Sequence, residues 1–78
     1  MNLHVNGEPY AARPGETVLA LVRNRTGRDL GPDGRPTDGG RLGIAVALDQ
    51  AVVPRGAWAT TELADGQRLD IVTAVQGG

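Results

Sequence analysis

Two glycines, Gly77 and Gly78, end the printed sequence directly after an apolar segment, and their position suits a defined chemistry. Because glycine has no Cβ atom, an extended Gly-Gly tail can pass through a narrow channel into the active site of a partner. The group that would react there is the α-carboxylate of Gly78. A carboxylate is a poor electrophile, so it must first be activated, usually as an acyl-adenylate. The tail therefore predicts a chain that is acted on at Gly78, and the glycines leave open whether an amine or a sulfur attacks.

Other residue types that do chemistry are scarce. The sequence contains no Cys and no Ser, which excludes a thiolate nucleophile, a disulfide and a Ser-His-Asp triad. Its one histidine, His4, lies on the polar side of an alternating segment and is interpreted as a surface residue. The nine carboxylates are dispersed, and neither a metal-ligand cluster nor a phosphate-binding glycine motif is present. We therefore expect a non-enzyme without catalytic residues, metal or cofactor of its own, so a partner must bind the ATP.

The composition allows one small domain. A chain of 78 residues, 40% of them hydrophobic, can build a single core, because a domain of this size buries only about 60% of its unfolded surface. The formal net charge is −1 and only 3% of the residues are aromatic, which argues against nucleic-acid binding. Neither a signal peptide nor an apolar run of about 20 residues is visible. We expect a cytoplasmic protein that does not enter a membrane.

The elements that must position the tail follow from apolar spacing and turn residues. Asn6-Gly7 predicts a tight hairpin, since both residues tolerate positive φ. Thr17 is placed to cap a helix whose apolar residues recur at positions i, i+3 and i+4. The predicted elements are strands over residues 2–6 and 8–12, a helix from Thr17 to about 24–27, and strands over 43–49, 51–53 and 68–75.

Two segments have no regular period. Residues 26–42 contain five Gly, two Pro and only two large apolar residues, which predicts a mobile loop, either a tolerated insertion or a binding loop. Residues 55–63 are interpreted as an irregular connection. Within it, Trp58 is expected to close one end of the core, with Arg55 at the surface beside it.

This order of elements, ββαββ, is the pattern of an α+β domain of the β-grasp, or ubiquitin-like, fold, in which one helix covers one face of a mixed sheet. In that fold the first and last strands are parallel neighbours at the sheet centre. The last strand would then turn Leu69 and Ile71 toward the helix and leave Val72 and Ala74 on an open face. We expect a β-grasp domain over residues 1–75, with the loop of about 26–42, and a flexible tail of residues 76–78.

Three stretches resemble a known family. They are VPRGAW at 53–58, DGQRLDI at 65–71 and TAVQGG at 73–78, and together they are similar to the ThiS family of sulfur carriers in thiamine biosynthesis. The resemblance covers about three quarters of the chain and is strongest from Gly43 onward. The chain departs from the family pattern in two places. Asp49 stands where the family often has Asn, and the loop of residues 26–42 is longer than is typical of the family.

The resemblance implies a carrier cycle. A ThiF-like adenylyltransferase would use ATP and Mg²⁺ to adenylate Gly78, and a cysteine desulfurase or another persulfide donor would then supply sulfur to form a terminal thiocarboxylate. A ThiG-like thiazole synthase would take that sulfur into the thiazole ring. The absence of Cys agrees with this cycle, because the sulfur must then be carried by the C-terminus.

The resemblance also implies a partner-binding surface, since related carriers dock their activating enzymes through the open face of the sheet. Exposed apolar patches of this kind often mark interaction sites. The residues expected on this face are Val72, Ala74, Ala45 and Ala47, and a lightly covered sheet surface is the alternative. Val75, Gln76 and Arg55 are further residues expected to contact a partner.

Three alternatives share some of these features. A carrier of the same fold could serve molybdopterin or cysteine synthesis, although the VPRxxW stretch argues against it. A protein modifier that forms amide links to lysines would share the tail and its activation. A β-grasp binding module with an incidental Gly-Gly would keep its activity when Gly77 and Gly78 are deleted.

Overall fold

A computed structural model of the chain describes residues 1–73. The elements in chain order are β1 (Asn2–Val5), β2 (Glu8–Ala11), α1 (Val18–Thr26), β3 (Ile44–Leu48), β4 (Ala51–Val53), a 3₁₀ helix (Arg55–Thr60) and β5 (Arg68–Thr73). The predicted strands were one residue too long at several ends, where Asn6 and Asp49 belong to turns and Ala12 and Gly43 lie outside the strands.

The strands of the described region form one mixed sheet in the order β2-β1-β5-β3-β4. Strands β1 and β5 are parallel, with His4 opposite Arg68 and Val5 opposite Leu69. The other neighbouring strands pair antiparallel. The prediction that the first and last strands are parallel neighbours inside the sheet is therefore confirmed, and with it the ββαββ arrangement of the β-grasp fold.

Tight turns fix the register of both hairpins. Asn6 and Gly7, at φ 51° and 81°, connect β1 to β2, as Asn6-Gly7 predicted. Asp49 and Gln50, at φ 49° and 73°, connect β3 to β4 in the same left-handed region. Positive φ at two consecutive residues matches the right-handed twist of the flanking strands.

Helix α1 begins directly after the predicted N-cap, Thr17, and ends within the predicted range of residues 24–27. The Thr17 hydroxyl accepts a hydrogen bond from the backbone N–H of Ala20 at 3.2 Å. At the other end, Gly27 adopts φ 67°, and its N–H donates to the carbonyl of Arg23 at 2.9 Å. A left-handed glycine after the last turn ends a helix because the chain can no longer continue the helical hydrogen bonds.

The core lies between α1 and the sheet. Its buried members are Leu3, Val5, Ala12, Val18, Leu19, Leu21, Leu30, Val22, Val46, Trp58, Leu63 and Leu69. Trp58 is 1% exposed, and its indole N–H donates to the carbonyl of Val53 at 3.0 Å. The expectation that Trp58 closes the core is confirmed.

The connection around Trp58 is regular, so the prediction of an irregular segment was wrong. Residues Arg55–Thr60 form a 3₁₀ helix that packs against α1. Pro54 precedes it, and the N–H of Ala57 donates to the Pro54 carbonyl at 2.8 Å. The sequence contains little warning of such a helix, because a run this short is not long enough to show a period.

The long loop packs onto this 3₁₀ helix. Leu30 and Pro36 are buried and joined by an antiparallel β-bridge, and Gly34 between them is buried as well. The Arg28 guanidinium donates to the Arg41 carbonyl at 3.3 Å and lies 3.6 Å from the carboxylate of Asp38. The mobility expected for this segment stays a prediction, but the structure anchors it at both ends.

Candidate functional site

Strand β5 delivers the chain toward its C-terminus from the middle of the sheet. Its last described residue, Thr73, lies opposite Ile44, the first residue of β3. The last described position of β5 therefore lies beside the segment that enters β3. The predicted reacting end, Gly77 and Gly78, lies outside the described residues, as do Ala74, Val75 and Gln76, and these predictions stay predictions.

Neighbouring groups hold this end of β5 on both sides. On the β1 side, the N–H of Asn6 donates to the carbonyl of Leu69 at 2.9 Å. The side-chain oxygen of Asn6 then accepts the N–H of Ile71 at 2.7 Å, which adds one more bond where β1 has already ended. Sequence reasoning assigned Asn6 only to the hairpin turn, because a bond to a residue 65 positions away leaves no local signal.

The open face of the sheet brings together three of the predicted partner-binding residues. Ala45 lies opposite Val72 in the β3–β5 pair. Ala47 follows two residues later in β3 and therefore lies on the same face of the sheet. Val72 is 58% exposed, although it is a large apolar residue in a central strand. An exposed apolar side chain at such a position needs a covering partner to leave water. Its role in docking stays a prediction.

Val52 extends this patch and was missed from the sequence. It lies opposite Ala47 on the edge strand β4 and is 74% exposed. A usable signal was present, because successive strand residues point to opposite faces, so Val52 must face away from its half-buried neighbour Val53. We call Ala45, Ala47, Val52 and Val72 the open-face patch.

The polar residues around the patch belong to the same face. Asp70 lies opposite Ala47, and Arg68 lies opposite His4. His4 is exposed, in agreement with its interpretation as a surface residue. The patch therefore has a charged border along β5, a composition typical of protein interfaces with an apolar centre and a polar rim.

Arg55 does not lie on the open face with Val72, Ala45 and Ala47, and its part in partner binding stays a prediction. The 3₁₀ helix that carries Arg55 packs against α1, on the other side of the sheet. The guanidinium carbon lies 5.8 Å from the centroid of the Trp58 ring, and Nη2 donates to the Ile44 carbonyl at 3.4 Å. Arg55 therefore reaches the start of β3, the strand end that lies opposite Thr73.

One titratable pair lies away from this end of the molecule. The Tyr10 hydroxyl donates to Glu16 Oε2 at 2.5 Å, while Oε1 of Glu16 accepts the N–H of Arg13 at 3.0 Å. Burial raises the pKa of Tyr10 above its ordinary value of 10.0, and the hydrogen bond to Glu16 and the charge of that carboxylate raise it further. The pair connects β2 to the start of α1 and serves the fold.

Within residues 1–73, no three His, Asp or Glu side chains cluster closely enough to hold a metal ion. No helix in that range is long and apolar enough to cross a membrane. What the described residues do offer is a central strand that pairs with β1 and β3, and an exposed apolar patch on one face of the sheet.

The chain is a ubiquitin-like protein of the β-grasp fold, because one helix covers a mixed sheet whose central strands, β1 and β5, are parallel. In the sequence, a glycine pair follows β5. The model of the ThiS family matches residues 3–78, and the chain belongs to that family. The resemblance of the VPRGAW and AVQGG stretches to this family is confirmed.

Two known proteins illustrate the relationship. The crystal structure of the thiamine biosynthesis protein ThiS from Geobacter metallireducens is similar over the whole of both chains, with a TM-score of 0.69 and 25% sequence identity. A thiazole synthase from Magnetococcus marinus is 30% identical over all 78 residues. The chain spans about one fifth of the length of that synthase, since the match covers 20% of it.

Proposed function

We propose that this chain is a sulfur carrier that supplies the sulfur of the thiazole ring in thiamine biosynthesis. The observation that carries the proposal is membership of the ThiS family over residues 3–78, which includes the glycine pair. The whole-chain likeness to a thiamine biosynthesis protein from Geobacter metallireducens supports it. In this proposal the chain is not an enzyme, works in the cytoplasm, and carries sulfur as a thiocarboxylate on Gly78.

The cycle begins with activation of the Gly78 carboxylate by a ThiF-like adenylyltransferase. A carboxylate oxygen attacks the α-phosphate of ATP, which the enzyme binds with Mg²⁺, and pyrophosphate leaves. Sulfur from a cysteine desulfurase or another persulfide donor then displaces AMP, and a thiol cleaves the donor's S–S bond. The product is a terminal thiocarboxylate. Because the sequence has no Cys, no side-chain thiol competes for the activated glycine.

The acceptor in this proposal is a ThiG-like thiazole synthase. Support comes from the Magnetococcus marinus thiazole synthase, which contains a region similar to this entire chain. A carrier region and a thiazole synthase in one protein would bring the sulfur donor and its acceptor together at a high effective concentration. We infer that the present chain meets the same kind of acceptor.

The contribution of the fold in this proposal is to position the C-terminal residues. Strand β5 is fixed by β1 and β3, with Leu69 fully buried, so the residues beyond Thr73 start from a rigid base. The open-face patch would dock the adenylyltransferase, while Ala74, Val75 and Gln76 extend the tail into its active site. A fixed base and a docked face would hold the Gly78 carboxylate near the α-phosphate, which is how positioning accelerates a bimolecular reaction.

Intact-mass spectrometry tests the proposal. The chain is incubated with ATP, Mg²⁺, a ThiF-like adenylyltransferase and sulfide, and we expect a mass increase equal to the replacement of one oxygen by sulfur, located to Gly78 by fragmentation. A matched variant extended by one alanine after Gly78 should stay unchanged. The proposal fails if the wild-type mass does not change under conditions in which the enzyme modifies a control carrier.

The acceptor is tested in a second reaction. The thiocarboxylate form is mixed with a ThiG-like synthase and its other substrates, and we expect thiazole formation that depends on the sulfur carried by the chain. Sulfur transfer to a molybdopterin or cysteine-forming enzyme instead, or amide formation with lysines, would replace thiazole synthesis with the corresponding alternative.

A further inference from the structure

Three arginines line one cleft at the end of the sheet where β3 begins, next to the Ile44–Thr73 pair. The cleft has a volume of about 360 Å³ and is bordered by Arg35 and Arg41 of the long loop and by Arg55 of the 3₁₀ helix. Leu42 and Gly43, which lead into β3, complete the same wall. We call Arg35, Arg41 and Arg55 the arginine cleft.

The backbone around the cleft is held in place by specific contacts. Gly34 lies against Arg55 and Trp58, where a side chain would not fit, so the loop approaches the 3₁₀ helix closely. The Gly31 N–H donates to the Arg35 carbonyl at 2.9 Å, and Arg28 holds the Arg41 carbonyl from the other side. The backbone of the loop that borders the cleft is therefore held in place by these contacts.

The charges of the cleft are not neutralised by the described part of the chain. The ion pairs within residues 1–73 join Arg23 to Asp29 and Arg28 to Asp38, and neither pair includes an arginine of the cleft. The nearby carboxylate of Asp33 accepts the backbone N–H of Arg35. In a chain of net charge −1, three guanidinium groups on one wall make a local positive surface that favours an anionic partner.

The position of the cleft, next to the Ile44–Thr73 pair, favours a partner that receives the C-terminal residues. Ile44 follows Gly43 of the cleft and lies opposite Thr73, so an enzyme that receives the residues beyond Thr73 must approach this edge. Arg35 and Arg41 are exposed, so a small anion would bind them through water-screened contacts that are weak. A protein surface covers the cleft, excludes water and strengthens the same interactions.

We propose that the arginine cleft docks an acidic, Asp- or Glu-rich surface of the adenylyltransferase that receives the C-terminal residues. This inference rests on the proposed function and adds a second contact to it, on the helix side of the sheet and separate from the open-face patch. The long loop then has a role, since it supplies two of the three guanidinium groups. The contact speeds encounter and sets the tail at the entrance of the enzyme.

Charge reversal with a matched control tests this proposal. The variant R35E/R41E changes the two loop arginines, whose guanidinium groups make no hydrogen bond within residues 1–73. The control R13E/R25E changes net charge by the same amount at two exposed positions outside the cleft. Thermal unfolding followed by circular dichroism shows that both variants are folded before binding is measured.

The readouts are the association rate with the adenylyltransferase and the kinetics of ATP–pyrophosphate exchange. At an ionic strength of about 0.05 M we expect R35E/R41E to associate roughly tenfold more slowly than the control, with a raised KM for the carrier and an unchanged kcat. The difference should shrink at about 1 M salt, where charges are screened within about 3 Å. The neutral variant R35Q/R41Q should fall between wild type and R35E/R41E.

The outcomes separate the two proposals. If the wild-type chain is adenylated and R35E/R41E matches R13E/R25E at every salt concentration, the arginine cleft is not a docking site and the proposed function stands. A loss that is equally large at high salt would also overturn an electrostatic contact. If the wild-type chain is neither bound nor adenylated, the proposed function fails and the cleft proposal fails with it.

Discussion

Gly34 of the long loop lies so close to Arg55 of the 3₁₀ helix that a Cβ atom at Gly34 would overlap the Cγ atom of Arg55. The same Cβ would stand 2.8 Å from the Arg55 carbonyl oxygen and 3.2 Å from Cε3 of Trp58. A residue in the loop therefore touches the backbone that holds the one tryptophan of the core. This contact couples the loop to the fold through the 3₁₀ helix.

We predict that Gly34→Ala destabilises the protein more than Gly39→Ala does. Both residues have left-handed φ, 77° and 80°, so each substitution carries about 1–2 kcal/mol of backbone strain. Only Gly34→Ala adds a steric overlap, which we expect to cost at least about 1 kcal/mol more, since a Cβ atom at Gly39 would have no neighbouring atom within 4 Å. Urea unfolding of both variants measures the difference, and equal losses would show that the loop is not packed on the 3₁₀ helix.

Trp58→Phe should lower the free energy of unfolding by about 2–4 kcal/mol. The smaller ring leaves a cavity, and the carbonyl of Val53 loses its indole donor. The control is Val52→Ala, which removes apolar atoms from a side chain that is 74% exposed and should change stability by less than about 0.5 kcal/mol. Far-ultraviolet circular dichroism in urea follows both, because Trp58→Phe removes the only tryptophan. A loss below that of Val52→Ala would contradict a core role.

Asn6→Gly should weaken the end of β5 without disturbing the hairpin. Glycine accepts the left-handed φ of Asn6 but removes the oxygen that accepts the Ile71 N–H. We expect a loss of about 0.5–1.5 kcal/mol in stability and faster amide hydrogen exchange at Ile71. Asn6→Asp keeps the acceptor and is the control. Unchanged exchange at Ile71 in the glycine variant would show that the side-chain bond does not hold the strand.

The stability of the protein should fall as the pH rises above 10. The folded state holds the Tyr10 proton more tightly than the unfolded state, whose tyrosine titrates near 10.0, so the stabilisation is complete below pH 10 and is lost as pH rises through the folded pKa. The window is clear because the chain has one Tyr and neither Cys nor Lys. Urea unfolding over roughly one pH unit on each side of the ordinary tyrosine pKa measures the slope.

Two variants separate the causes of that pH dependence. Tyr10→Phe should flatten it, and Glu16→Gln should lower the pKa of Tyr10 toward 10.0 while burial keeps it above that value. Tyrosinate absorbance reports the pKa directly. A Tyr10 that titrates at its ordinary value in the wild-type chain would remove the basis of this prediction.

Val72→Glu should weaken binding to the adenylyltransferase by at least about tenfold, because a charge in the centre of a buried apolar contact must lose its hydration. The unfolding free energy should change by less than about 0.5 kcal/mol, since Val72 is 58% exposed. Ala11→Glu, an exposed position on the edge strand β2, carries the same charge away from the open-face patch. Equal affinities for the two variants would place the docking surface elsewhere.

Local signals explain which parts of the fold could be predicted. Asn6-Gly7 and Thr17 act within a few residues of their own position, so the hairpin and the start of the helix followed from the sequence, and the end of the helix followed to within a few residues. The 3₁₀ helix and the packing of the long loop did not, because they depend on contacts with residues far along the chain. Leu30 belongs to the buried core cluster, and Gly34 of the same loop lies against Arg55 and Trp58 of the 3₁₀ helix.

The candidate site divides in the same way. The sequence alone identifies the family and contains the glycine pair proposed to carry sulfur. Because side chains of a strand alternate between its two faces, the sequence also indicates that Val72 is exposed. Only the tertiary structure places Val52 beside Ala47 on the open face and Arg55 on the opposite side of the sheet. It also brings Arg35 and Arg41 into one cleft with Arg55. Covalent order and side-chain period are properties of the chain, whereas a shared surface arises only when burial of the core brings distant segments together.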